Sequence, residues 1–249
     1  MPQRYFLEVA YNGAAYSGFQ VQKNAVTIQS EVEKAFYVLQ KEKVEMTGSS
    51  RTDAGVHALQ NFFHFDIEKA LHQQFLYKLN AILPQDIVAK SVHKVSPQAH
   101  CRFAALSRTY RYFIYQNKNP FLQDRAYYYP YSLSQEKLQK AAEIILHTQN
   151  FQSFSKRNTQ VKNFECNIIK SEWQFNGEQM IYTIEANRFL RGMVRALAAT
   201  MLQVGRSKIS ISQFQAIIKS GDCTKAKFNA PAHGLFLGQI KYPENIFLD

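Results

Sequence analysis

The sequence predicts an α+β protein with a mainly antiparallel sheet and helices on one side of it. Segments in which apolar and polar residues alternate indicate strands, and segments with apolar residues at helical spacing indicate helices. Units of strand, helix and strand occur in both parts of the chain, with a division near residue 105. We therefore expect an N-terminal half, residues 1–105, and a C-terminal half, residues 106–249.

The N-terminal half shows two helical segments between alternating ones. Thr27 is the expected N-cap of the first helix, because a threonine hydroxyl accepts a hydrogen bond from the first turn. Ile28, Val32 and Phe36 follow at helical spacing and form a predicted buried stripe. In chain order we predict a strand over residues 4–11, a helix over 27–41, strands over 43–47 and 61–65, a helix over 71–81 and a strand over 87–95.

The C-terminal half opens with the clearest strand of the chain, Ser107–Tyr115, which carries Tyr110 near its middle. Towards the end of the chain, Ser210 and Gln213 form a capping-box pattern, and Gly221 follows as a helix stop. The other predicted elements are helices over residues 135–147 and 187–204, strands over 167–175 and Gln179–Ala186, and a final strand over 235–242.

The composition favours a polyanionic partner. The chain of 249 residues has 30 Lys and Arg against 19 Asp and Glu, a formal net charge of +11. Such an excess is self-repulsive, and binding to nucleic acid offsets the repulsion. A membrane surface fits less well, because the basic residues are dispersed and form no amphipathic basic helix. A merely basic protein is the alternative on charge alone.

The cysteines and the N-terminus indicate the cytoplasm. Cys101, Cys166 and Cys223 are scattered, odd in number and outside any CxxC pattern, so we expect reduced packing residues and neither a disulfide framework nor a metal site. The N-terminal residues lack the apolar core of a signal peptide, and no run approaches the ~18 apolar residues of a membrane span. We therefore predict a cytoplasmic protein without a membrane partner.

Residues 48–58 form a glycine-bounded loop with one carboxylate and one guanidinium, Asp53 and Arg51. The glycines permit the tight backbone that a loop needs to hold one side chain forward. In an extended loop Arg51 and Asp53 point to one side, and Thr52 points to the other. An ordinary surface ion pair, worth about 0–1 kcal/mol, is the alternative for these residues taken alone.

The octet Arg51-Thr-Asp-Ala-Gly-Val-His-Ala58 resembles the active-site loop of the tRNA pseudouridine synthase A family. The chain departs from the family at Ser50, where glycine is usual, and at Phe19, where tryptophan is frequent; the first bears on loop geometry, and neither removes a reacting group. The resemblance extends over nearly the whole chain, because further landmarks follow in the family's order. They are Tyr11-Asn-Gly, Gly18-Phe-Gln20, Leu79-Asn80, Leu83-Pro84, Asp86-Ile87, Arg108-Thr-Tyr-Arg-Tyr112, Arg191-Gly-Met-Val-Arg195, Val204-Gly205 and Ala230-Pro-Ala-His-Gly-Leu235.

The resemblance implies an isomerase that converts uridine to pseudouridine at positions 38 to 40 of the tRNA anticodon arm. It implies a homodimer that needs no cofactor and no metal, and two RRM- or ferredoxin-like halves with the active-site cleft between them. Asp53 is the expected catalytic carboxylate, which either attacks C1′ of the ribose or removes the C2′ proton to give a glycal. Both routes stay open.

The same resemblance implies roles for three other side chains. Arg195 is expected to hold Asp53 ionised, Tyr110 to stack on the flipped uracil, and Arg51 to occupy the place of the extruded base. The plain alternatives are a solvated helix-face arginine for Arg195 and a core tyrosine for Tyr110. His57 belongs to the motif without an obvious catalytic task, so we expect it to be loop architecture.

Two other function classes compete with this interpretation. A non-catalytic RNA-binding module would explain the charge and the aromatic residues, but it leaves Asp53 without a purpose. A nucleoside N-glycosylase would release free uracil with the help of a positioned water. Glycoside hydrolysis normally uses two carboxylates, whereas the motif supplies one.

Overall fold

The structure is a computed structural model that describes residues 2–157 and 161–248. Two compact units are present, one built from the residues up to Leu106 with those from Leu237 onward, and one from Ser107–Phe236. The first break lies beside the expected division at residue 105, but the C-terminal residues belong to the first unit. Hydrogen bonds account for this placement, because the Leu248 amide donates to the Lys94 carbonyl at 2.9 Å.

The first unit is a sheet with the longest strands at its centre. Strand β1 (Gln3–Tyr11) pairs antiparallel with β3 (His57–Ile67) and with β4 (Ile87–Lys94), and the short strand β2 (Thr47–Gly48) also pairs antiparallel with β3. The strand β9 follows β3 in the sheet order β4-β1-β3-β9. The elements are β1 (Gln3–Tyr11), α1 (Ile28–Gln40), β2 (Thr47–Gly48), β3 (His57–Ile67), α2 (Phe75–Ile82), β4 (Ile87–Lys94) and β9 (Leu235–Lys241), of which β9 enters this unit at Leu237.

The first helix forms where the sequence predicts it. The Thr27 hydroxyl accepts from the Ser30 amide, and the Ser30 side chain accepts from the Thr27 amide, which completes a capping box. The predicted stripe of Ile28, Val32 and Phe36 is buried. Apolar burial of such a stripe stabilises the helix against the sheet, since an isolated 13-residue helix is marginal in water.

In the second unit, β8 (Gln179–Ala186) lies between β5 (Ser107–Tyr115) and β7 (Ile168–Asn176) and is antiparallel to both. The short strand β6 (Tyr127–Tyr128) pairs with β5 in parallel. Helix α3 packs on β7 and on α4. The elements are β5 (Ser107–Tyr115), β6 (Tyr127–Tyr128), α3 (Gln135–Leu146), β7 (Ile168–Asn176), β8 (Gln179–Ala186), α4 (Met193–Gly205) and α5 (Ile211–Ser220).

The α+β prediction is confirmed, since strands are mostly antiparallel and five α-helices lie within the described residues. The starts of four elements differ from the expected ones by four residues or more. Two of these are β3, which begins at His57 and not at residue 61, and α2, which begins at Phe75 and not at residue 71. Helix α4 begins at Met193 and not near residue 187, because Gly192 adopts φ 75° and interrupts the helical backbone. The strand expected over residues 43–47 shrinks to the two residues of β2. Within residues 2–157 and 161–248, no helix has both the length and the hydropathy that a membrane crossing requires.

Candidate active site

The loop of residues 49–56, called here the Asp53 loop, connects β2 to β3 in the first unit. Its side chains alternate as an extended segment predicts: Arg51 is exposed, Thr52 is buried and Asp53 is half-buried. A carboxylate at such a position is reachable from solvent while its backbone is held by the protein. The loop therefore presents Asp53 and buries the residue before it.

A buried group of hydrogen bonds fixes the first part of the loop. The hydroxyls of Tyr11 and Thr52 lie 2.8 Å apart, and the Asn61 amide nitrogen donates to the Ser50 carbonyl at 2.9 Å and to the Tyr11 hydroxyl at 3.3 Å. Asn61 is fully buried. Removing one side chain of such a group leaves a buried polar atom of another without its hydrogen bond. The expected loss of unfolding free energy is about 1–3 kcal/mol, because water does not reach the site.

The segment that follows β1, residues 12–19, holds the other side of the loop. The Phe19 amide donates to the Thr52 carbonyl at 3.1 Å, and the Gly13 amide donates to Nδ1 of the buried His57 ring, also at 3.1 Å. A side chain at Gly13 would place its Cβ 2.0 Å from the Val56 carbonyl oxygen. The backbones therefore approach too closely for any residue but glycine. His57 has the architectural position that the sequence predicts.

The loop turns back at Asp53 itself. The Val56 amide donates to the Asp53 carbonyl at 3.1 Å, and Gly55 adopts φ 75°, which favours glycine. Ser50 is buried and is not among the residues with positive φ, so the backbone at this position does not require glycine. The loop geometry thus tolerates the departure noted in the sequence.

The C-terminal segment of the first unit anchors the start of the loop. The Tyr242 hydroxyl donates to the Cys101 carbonyl at 2.6 Å and lies 3.1 Å from the Ser49 hydroxyl. The Ser49 amide donates to the Phe62 carbonyl at 2.7 Å. Residues from four segments of the unit, around positions 11, 61, 100 and 242, therefore determine where Asp53 stands.

In the second unit, Tyr110 lies on β5 opposite Ile184 of β8. Its ring is half-buried and meets the Phe189 ring edge-on, with the centroids 4.9 Å apart and the planes at 81°. Edge-on contact is a favourable arrangement of two aromatic rings, so Phe189 orients the tyrosine. The ring is thus held in place without being enclosed in the core.

Arg195 lies in the first turn of α4 and is half-buried. Its Nε donates to the Ala230 carbonyl at 2.7 Å, so a freely solvated arginine is not what the structure shows. The neighbouring Pro231 carbonyl accepts from the Tyr112 hydroxyl at 2.8 Å, and burial raises the pKa of Tyr112, which keeps this donor protonated. A Cβ on Gly234 would lie 2.8 Å from the Tyr112 ring. The motif of residues 230–235 therefore orients Arg195.

The structure places Arg51 and Asp53 together in one loop of the first unit, and Tyr110 and Arg195 on β5 and α4 of the second. Sequence reasoning did not single out the residues that hold these side chains. Tyr11 and Tyr112 lie inside the quoted motifs, which was the available signal for them, whereas Asn61 and Tyr242 lie outside every motif. Among the described residues, one group of His and Cys side chains brings possible metal-ligand atoms within 4.8 Å of one another, and it contains none of the predicted site residues.

Comparison with known proteins gives full-length matches. The model of a family described as tRNA pseudouridine synthase matches residues 8–104 and 141–243. A protein named tRNA pseudouridine synthase A from Bacteroides fragilis is 43% identical over 248 residues, covering 98% of both chains. The protein of that name from Parabacteroides distasonis is 40% identical over 247 residues, and the alignment covers 98% of both chains. The one from Bacillus licheniformis is 37% identical over 239 residues, which cover 94% of this chain and 97% of the relative.

Proposed function

The chain belongs to the tRNA pseudouridine synthase family and is an isomerase of uridine in tRNA, and we propose that it acts at positions 38 to 40 of the anticodon stem-loop with Asp53 as its catalytic carboxylate. The observation that carries the assignment of Asp53 is the loop around it, in which buried side chains and close backbone contacts hold one accessible carboxylate. The position in tRNA rests on the likeness of the chain to the family named above.

The reaction needs one ionised carboxylate. The bond between N1 of uracil and C1′ of ribose breaks, the detached base turns, and C5 joins C1′ while the C5 proton is lost and N1 regains a proton. Asp53 either attacks C1′ and leaves it again, or removes the C2′ proton and returns it; atoms balance on both routes. A preorganised carboxylate serves either route, since positioning lowers the barrier without any motion of the loop at the moment of reaction.

Three other residues have proposed roles. Arg195 supplies a guanidinium to the catalytic carboxylate, which is the role that the resemblance to the family implies for it. Its fixed Nε contact with the Ala230 carbonyl supports a positioned rather than a mobile arginine. Tyr110 stacks on the flipped uracil, supported by its half-buried ring. Arg51, exposed beside Asp53, fills the gap that the extruded base leaves.

We also propose that the enzyme works as a homodimer in the cytoplasm. A globule of 249 residues has a radius of gyration of about 18 Å, which is small beside a whole tRNA. A second subunit with the same +11 charge would extend the basic surface, and twofold pairing is the commonest symmetry of oligomers. Sedimentation at assay concentration tests the pairing, and a fully active monomer would contradict it.

The test of the catalytic assignment is Asp53→Asn, which preserves size and removes the charge. Unmodified tRNA is incubated with excess enzyme, and its nucleosides are analysed for pseudouridine and free uracil. We expect no pseudouridine in a single turnover and nearly unchanged tRNA binding. The control Asp66→Asn removes a carboxylate of the same unit, on β3, and should retain the activity.

Mapping the product separates the two parts of the proposal. Pseudouridine at positions 38 to 40 is the expected result with the wild-type enzyme, and pseudouridine elsewhere in tRNA would contradict the position while leaving the chemistry intact. Product from purified Asp53→Asn would contradict the catalytic assignment. Release of free uracil would instead indicate a glycosylase.

A further inference from the structure

Three side chains with metal-binding atoms converge in the first unit, and none of them is a residue of the proposed reaction. They are His64 on β3 and the adjacent His100 and Cys101, and their candidate ligand atoms all lie within 4.8 Å of one another. Nδ1 of His64 lies 3.2 Å from Sγ of Cys101. The His64 and His100 rings lie with their centroids 4.5 Å apart.

We propose that His64, His100 and Cys101 bind a zinc ion, with a water molecule as the fourth ligand. One thiolate and two imidazoles are a ligand set that zinc prefers, with Zn–S of about 2.3 Å and Zn–N of about 2.0–2.1 Å. Tetrahedral bonds of those lengths separate the ligand atoms by about 3.3–3.6 Å. The observed spacing from 3.2 Å to at most 4.8 Å lies close to that, so side-chain shifts of about 1 Å close the site.

Two of the three ligands are held in place before the metal binds. His64 belongs to β3 and is paired across the ladder with Thr47, and the Cys101 carbonyl accepts from the Tyr242 hydroxyl at 2.6 Å. His64 and Cys101 are buried, whereas His100 is only partly covered. The His100 side gives the ion its route from solvent. A preformed pair of ligands lowers the ordering cost of binding.

The charges around the cluster permit a dication. Arg4 and Arg102 are cations beside the cluster. Nε and Nη2 of Arg4 donate to the two oxygens of Asp66 at 2.8 and 2.7 Å, so that pair is neutral together, and the Arg102 guanidinium lies over the Phe103 ring, 5.7 Å from its centroid. Without metal, the Cys101 thiol donates to the Thr47 carbonyl at 3.1 Å. When zinc binds, the thiol proton leaves to solvent, and the sulfur and the imidazole nitrogens donate their electron pairs to the ion. The thiol contact with Thr47 and the 3.4 Å hydrogen bond from the Cys101 amide to Nδ1 of His64 are given up.

The alternative is an ordinary buried contact between a thiol and an imidazole, and metal titration distinguishes the two. The purified full-length protein is treated with a chelator, the chelator is removed, and Zn²⁺ or Co²⁺ is added in separate titrations. We expect one zinc ion per chain and, with Co²⁺, a near-ultraviolet thiolate-to-cobalt absorption band. Cys101→Ala should abolish that band, and Cys223→Ala, which removes a partly exposed cysteine of the second unit, should retain it.

A second variant keeps the test decisive if the change at the buried cysteine prevents folding. His100→Gln alters a partly covered side chain and should weaken zinc binding by more than about 10-fold, since loss of an outer-shell partner alone costs 10–100-fold. The matched control His147→Gln, at the end of α3, should bind like wild type. A wild-type protein without the thiolate band, or zinc affinity unchanged in His100→Gln, would overturn the proposal. Neither result bears on the isomerase assignment, because the readout is metal binding.

Discussion

Removal of the Tyr11 hydroxyl should slow the reaction although Tyr11 is not a proposed catalytic residue. Tyr11→Phe keeps the ring, whose centroid lies 6.0 Å from that of Phe19, and deletes one oxygen. That oxygen lies 2.8 Å from the Thr52 hydroxyl and accepts from Asn61 at 3.3 Å. Thr52 immediately precedes Asp53, so the variant loosens the backbone that presents the carboxylate.

The size of the stability loss in Tyr11→Phe follows from the burial of the two hydroxyls. Tyr11 and Thr52 are 5% and 8% exposed, so the Thr52 hydroxyl loses its partner where water does not replace it. The expected loss of unfolding free energy is about 1–3 kcal/mol. Asn61 retains its bond to the Ser50 carbonyl, which limits the loss to one strong contact. A displacement of the reacting group by about 1 Å can cost about 100-fold in rate, so we expect a single-turnover rate lowered by at least about 10-fold.

Tyr182→Phe is the matched control. Its hydroxyl lies 2.9 Å from the Ser171 hydroxyl in the second unit, and both residues are buried. The two variants delete the same group from the same kind of contact, so urea unfolding should show similar losses of stability. Only Tyr11→Phe should slow pseudouridine formation in enzyme excess, with tRNA affinity unchanged.

Thr52→Val, made alone and together with Tyr11→Phe, completes a double-mutant cycle for this hydrogen bond. Replacing both hydroxyl partners by apolar groups of similar shape is far less costly than removing one, so the double variant should regain stability relative to Tyr11→Phe alone. Equal rates for Tyr11→Phe and Tyr182→Phe, or purely additive stability losses in the double variant, would refute the argument that this hydrogen bond positions the loop.

Three further predictions test other features of the molecule. Gly13→Ala should reduce both stability and turnover, because its Cβ would lie 2.0 Å from the Val56 carbonyl oxygen. The control Gly177→Ala meets nothing within 4 Å and should cost only the strain of its φ of +60°. Unfolding and single-turnover measurements compare the two variants. The dissociation constant for tRNA should rise steeply with salt concentration, with a log–log slope of roughly 0.7–0.9 per neutralised phosphate. A dissociation constant that does not change with salt would contradict an electrostatic role for the +11 charge. Burial raises the pKa of Cys166 to about 11, so iodoacetamide at pH 8 should modify the partly exposed Cys223 before Cys166. Mass spectrometry of the peptides measures the order, and rapid modification of Cys166 would contradict its burial.

The elements that the sequence predicted well are those with signals inside the element. The capping box of Ser210 and Gln213 forms as expected, and Gly221 ends that helix with φ 62°. Strand β5 has the predicted bounds, because alternation over nine residues is a strong local pattern. The start of α4 was missed, since a glycine within a helical pattern does not reveal whether its backbone continues the helix, and Gly192 does not.

The candidate site shows the same difference between what local sequence signals predict and what they do not. Asp53, Arg51, Tyr110 and Arg195 were predicted as site residues because the motifs contain them, but the motifs give no information on the contacts that hold these side chains. Tyr242 reaches Ser49 across 193 residues of sequence, and periodicity carries no information about a contact of that length.

A motif therefore predicts the reacting group and gives no information on the contacts that hold it in place. The proposed carboxylate chemistry belongs to Asp53. The position of this residue depends on Tyr11, Asn61 and Gly13, so their loss would also be recorded as a fall in turnover. A variant that slows the reaction is thus weak evidence for contact with tRNA. Unfolding free energies measured beside the rates separate the two cases, because a residue that touches only substrate changes the rate without changing the stability of the free protein.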